Sequence, residues 1–131
     1  MSSPNAFWHN AIIDKSFEFL QELRRRFDFV LIGGWAVYFY TKSLKWKDID
    51  FVCDYETLTK LKQEFNIIKN ERLHKYELKA ENFDVVIYLP HWSELGLPAE
   101  NIMQSAVYLD GFKLPGREKL LILKLFIYKQ R

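Results

Sequence analysis

The stretch FVLIGGWAVYFY, residues 29–40, constrains the fold more than any other part of the chain. An apolar run ends in Gly33-Gly34, and an aromatic-rich segment follows with no Asn, Asp or Pro to make an ordinary turn. Residues 28–32 read as a buried strand and residues 35–43 as a helix, so the glycines join strand to helix. Glycine accepts backbone angles and close approaches that a side chain forbids. The start of a helix presents unpaired N–H groups and the positive end of a dipole, a natural cradle for phosphate. The same junction also serves as a tight connection and nothing more. No Lys-Ser/Thr of a P-loop follows it, and no GxGxxG is present, so both of those fingerprints fail.

A second feature adds chemistry. Asp48-Ile49-Asp50 opens a predicted strand, 48–54, fourteen residues after Gly34. Residues i and i+2 of a strand share a face, so Asp48 and Asp50 project side by side. Two such charges repel unless a cation lies between them. Oxygen-only ligands suit Mg²⁺ or Mn²⁺, which also take phosphate oxygens. Surface carboxylates at a strand end are the plainer alternative. Asp84 is the third feature, early in the apolar strand FDVVIYLP. If that strand lies beside 48–54, Asp84 joins the pair, and three carboxylates make a clamp for two-metal phosphoryl or nucleotidyl transfer. Otherwise Asp84 is a solvated strand start.

The remaining chain reads as ordinary globular sequence. Its 131 residues suffice for a single domain, 1–131, with a real core. The net charge of +2 is too mild to argue for a nucleic-acid partner, and one cysteine excludes an internal disulfide. No apolar run approaches the roughly 20 residues of a membrane span. The first ten residues lack the basic start and apolar stretch of a signal peptide, so a cytoplasmic protein with no membrane partner is expected. Residues 5–26 read as a helix, with Phe7, Ile13, Phe17, Leu20 and Leu23 at helical spacing and three arginines closing it. Residues 55–65 read as another helix, and IIKN as an edge strand. KYELKA and FDVVIYLP form a hairpin turning at Glu81-Asn82, and Asp110-Gly111 marks a second hairpin. Residues 91–104 hold a loop and about one helical turn. The final helix, 116–131, is apolar over a wide arc that includes Leu120, Leu121, Leu123, Phe126 and Ile127. That arc either packs on the domain or meets another chain, or the chain is a fragment. The fold class is α/β (α+β): a mixed, mostly antiparallel sheet of about four or five strands with helices mainly on one face.

LIGGWAV, KDIDFV and FDVVIY, in that order, resemble the three motifs of the nucleotidyltransferase superfamily, the fold of polymerase beta. Within it the chain is most similar to small prokaryotic nucleotidyltransferases related to abortive-infection and toxin–antitoxin toxins. The resemblance implies that Gly33 and Gly34 bring the helix start to the phosphates of a nucleoside triphosphate. It implies that Asp48, Asp50 and Asp84 are the catalytic carboxylates and the ligands of Mg²⁺ or Mn²⁺. The basic residue before Asp-x-Asp is matched by Lys42, Lys45 or Lys47, of which Lys45 is taken as the nucleotide contact. LPGREKLLILKL resembles a segment whose helix carries a lysine toward the nucleotide, which makes Lys124 a candidate for triphosphate contact. The reaction implied is attack of a hydroxyl on the α-phosphorus, the acceptor being RNA such as a tRNA end, a protein or a small molecule.

Proteins of that kind are commonly longer, with a helical C-terminal part. This leaves open a homodimer or a helical partner protein through the last helix. The competing reading is a catalytically silent module of the same fold that works with such a partner. Trp35 and Trp46 flank the motifs; packing is their expected role, and stacking on a base or ribose the alternative. His9, His74 and His91 form no ligand pattern.

Overall fold

The computed structural model describes residues 4–130 apart from residue 43, and the side chains of residues 10–126 among them. The expected roles of the Phe7 and Ile127 side chains lie outside the described residues. A long helix α1 (Pro4–Arg26) leads into β1 (Val30–Ile32), and α2 (Gly33–Thr41) begins with no intervening loop. Then come β2 (Ile49–Val52), α3 (Tyr55–Glu64), β3 (Ile68–Asn70), β4 (Lys75–Ala80) and β5 (Phe83–Tyr88). The chain closes with α4 (Ala99–Gln104), the hairpin β6 (Val107–Leu109) and β7 (Phe112–Leu114), and α5 (Arg117–Gln130).

Five strands form one sheet in the order β1-β2-β5-β4-β3, and β6-β7 form a small second sheet. Within the large sheet only β2 and β5 run parallel. This is the mixed, mostly antiparallel sheet expected from the pattern, with IIKN contributing the edge strand. Strand alternation divides the core in two. Ile49 and Phe51 of β2 face a layer built from α1, α2 and α3, which bury Leu20, Trp35 and Leu61 there. Val52 faces the other way with Val86 and Tyr88, under Ile102 of α4 and Leu123 of α5. Most helices thus lie on one face. α5 contributes to both clusters, through Leu120 and Leu123, and leaves Leu121 and Leu125 exposed.

Local chemistry explains the element ends. The Asp54 carboxylate accepts the Thr57 N–H at 2.7 Å and caps α3. Asp110 and Gly111 both have positive φ, 52° and 84°, as a two-residue hairpin of primed type requires. α2 stops where Lys42 turns left-handed and its N–H bonds back to the Tyr38 carbonyl.

Cys53 follows β2 and is fully buried. Burial, with Asp54 and Asp28 nearby, pushes its thiol up from 9.0 to about 12. The thiol stays protonated in the native state until about pH 12, whereas in the unfolded chain it ionises near its ordinary 9.0. Stability from this group is therefore complete below about pH 9 and is lost as pH rises from there toward 12. A thiol reagent at pH 8 is expected to label the native protein only as fast as it opens, and to label at once in denaturant. Rapid native labelling would contradict this burial.

Candidate functional site

The site begins at the strand–helix junction. Gly33 is the first residue of α2, with φ of 71°, and the Ile32 side chain before it makes no cap hydrogen bond. Ile32 pairs with Asp50 across β1 and β2, which brings the Asp50 side chain over Gly33. A Cβ on Gly33 would lie 2.5 Å from Asp50 Oδ2. A Cβ on Gly34 would lie 2.3 Å from Cγ of Trp46. Each glycine is therefore a seat, the first for a carboxylate and the second for an indole. Asp50 is only 8% exposed, and its charge sits at the positive end of α2, where it is favoured.

The β2–β5 pairing positions the other two acids. Asp50 is opposite Val86, so Asp84, two residues earlier, faces the same side of the sheet. The Asp84 N–H donates to Asp48 Oδ1 at 2.9 Å, tying the start of β5 to the residue just before β2. Asp48 is half-buried and Asp84 exposed. Among the described residues, no group of three or more His, Cys, Asp or Glu side chains stands ready to hold a metal ion. Asp50 and Asp84 share a sheet face, Asp48 lies at the same end just before β2, and the three form no closed cage.

The loop that delivers Asp48 is anchored by a residue the sequence reading passed over. Ser16 of α1 is fully buried. Its hydroxyl donates to the Lys47 carbonyl and accepts the Trp35 indole N–H at 3.2 Å. One side chain thus ties α1, α2 and the segment before β2 together. The available signal was position: Ser16 falls on the stripe of Ile13, Leu20 and Leu23, where a polar residue needs partners.

The lysines separate. Lys45 is exposed, with its ammonium 5.1 Å from the Phe17 ring and 5.8 Å from that of Tyr38. Lys45 and Lys47 border a cleft of about 730 Å³ between α1 and residues 44–48, which opens onto Asp48. Lys124 borders a different groove, of about 350 Å³, with Tyr40, Thr41 and Arg117. The Arg117 guanidinium lies 5.3 Å from the Tyr40 ring there. That groove follows the second half of α2, about a turn or more beyond Gly33.

Trp35 is fully buried, against Phe17 and Tyr38, so packing is its role. Trp46 is 42% exposed.

No protein-family model and no curated protein matches this chain. Geometry therefore has to carry the functional reading. Among the described residues, no helix is long and apolar enough to cross a membrane.

Proposed function

We propose that the chain is a metal-dependent nucleotidyltransferase of the polymerase beta type, related to the toxin-like members. The observation that carries this is the seating of Asp50 on Gly33, at the start of α2, with Asp84 on the same sheet face and Asp48 held to the start of β5. The N–H groups of a helix start can take phosphate oxygens, and Asp48, Asp50 and Asp84 near it would take the counter-cation. The donor set fits a hard divalent ion, being all oxygen. The single N–H that Asp48 accepts from Asp84 leaves further lone pairs for such an ion.

In this reading the N–H groups of Gly33 and Gly34 orient the triphosphate, beside the carboxylate and the indole that the two glycines seat. Asp48 and Asp50 would hold the cations. When bound, Mg²⁺ or Mn²⁺ neutralises phosphate charge and favours ionisation of the attacking hydroxyl. Asp84, the most exposed of the three acids, accepts the hydroxyl proton. The hydroxyl oxygen bonds to the α-phosphorus, the bond from that phosphorus to the bridging oxygen breaks, and pyrophosphate leaves. Positioning and charge neutralisation supply the acceleration.

Calorimetric titration of the four triphosphates, with Mg²⁺ and again with EDTA, tests the reading. Binding is expected only with metal. Asp50→Ala removes a charge partner worth about 2–5 kcal/mol, so affinity should fall at least about thirtyfold. Its thermal transition should remain cooperative. Equal binding by wild type and Asp50→Ala, or no metal-dependent binding at all, would overturn the assignment.

A further inference from the structure

We infer that the cleft between α1 and residues 44–48 is a nucleobase pocket, in which the base stacks on Trp46 and the phosphate meets Lys47. The inference deepens the transferase reading and rests on it for the identity of the ligand as a nucleotide. The cleft's volume of about 730 Å³ suits a nucleotide-sized molecule. It opens onto Asp48, so a nucleotide lying in it has its sugar-phosphate end beside the carboxylates.

Trp46 has the attributes of a stacking platform. Its ring packs on the Gly34 backbone, where Cγ, Cδ2 and Cδ1 occupy the space of the missing side chain. One part of the indole is thereby fixed, while 42% of the residue remains exposed, and Trp46 is among the residues that line the cleft. A ring already held in place loses little freedom when a base settles on it. The carbonyl of Lys47, the next residue, is fixed by Ser16, which steadies the platform further.

The opposite wall can read the base edge. Asn10 and Asp14 are four residues apart on α1, hence on one side of the helix, and both line the cleft. An ionised carboxylate only accepts hydrogen bonds. Asp14 therefore takes an N–H of the base, either an exocyclic amino group (adenine, guanine, cytosine) or a ring N–H (uracil, guanine). Lys45 and Lys47 supply positive charge for the phosphate.

The experiment uses the full chain, in EDTA, titrated with the four nucleoside monophosphates. All four should bind, because every base offers a face to stack on Trp46. Trp46→Ala should weaken binding on the order of ten- to a hundredfold. Trp46→Phe should restore most of it, which a variant that merely disturbs Gly34 would not do. A triphosphate that displaces AMP assigns the cleft to the donor; a short RNA that does so when triphosphates do not assigns it to the acceptor. Inorganic tripolyphosphate with Mg²⁺ reads the carboxylate end alone. If triphosphates bind with Mg²⁺ no better than tripolyphosphate, and equally in Trp46→Ala, the pocket is overturned and the transferase reading stands. If monophosphates bind through Trp46 while no triphosphate depends on Mg²⁺, the pocket stands and the transferase reading falls. Wild type that binds no monophosphate overturns the pocket outright.

Discussion

Gly33→Ala is expected to destabilise the protein and to abolish metal-dependent triphosphate binding together. Two costs combine. The residue holds φ at 71°, a region that costs a side-chain-bearing residue about 1–3 kcal/mol. The added methyl would also sit 2.5 Å from Asp50 Oδ2, so the buried carboxylate must move. The thermal midpoint should fall by several degrees. Gly34→Ala gives a useful contrast. Its φ is not positive, so the backbone share of the cost is absent and only the Trp46 ring stands in the way. Its stability loss should be smaller. In an Asp50→Gly background, Gly33→Ala should cost only the backbone share. If Gly33→Ala matched wild type in both midpoint and binding, the seating of Asp50 on Gly33 would be wrong.

Trp35→Ala should cause the largest loss of stability, about 3–5 kcal/mol, as for other buried aromatics truncated to alanine. The indole is fully buried, 5.2 Å from the Phe17 ring and edge-on to Tyr38 at 5.7 Å. Truncation opens a cavity between α1 and α2 and strips Ser16 of its donor. A domain with only about 5–15 kcal/mol in hand loses a large share of it. Urea unfolding should show a lower midpoint at an unchanged slope. Trp35→Phe should recover much of the packing and none of the indole hydrogen bond. A loss below about 1 kcal/mol for the alanine variant would contradict the packing described.

Much of the fold was legible because its signals are local. Alternation gave β4 and β5, and Asp110-Gly111 gave its hairpin. The apolar run ending in two glycines gave the β1–α2 junction. Local signals failed at the ends of elements. The pattern starts the second helix at residue 35, whereas Gly33 and Gly34 are themselves its first turn. Low helix propensity is overridden there by the strand that feeds the helix and by the groups seated on the glycines. The candidate site was legible as a list of residues. Its assembly was not, because the side-by-side placement of β2 and β5 depends on chain crossing and not on any local pattern. Ser16 was missed for the same reason: its partners lie 19 and 31 residues away.

The parallel seam between β2 and β5 has a consequence for how the chain acquires its acids. On one side of the seam, β1, α2 and β2 follow one another closely, and Asp48 and Asp50 belong to that unit. On the other side, β3, β4 and β5 form an antiparallel meander that carries Asp84. Each unit is built from neighbouring sequence, yet neither owns the carboxylate cluster. The cluster exists only once the two units have docked in register, because a slip of two residues would carry Asp84 about 7 Å along the strand. A chain whose halves are undocked holds every acid without the cluster. On the proposed function, gain of metal-dependent binding during refolding should therefore report the joining of the halves.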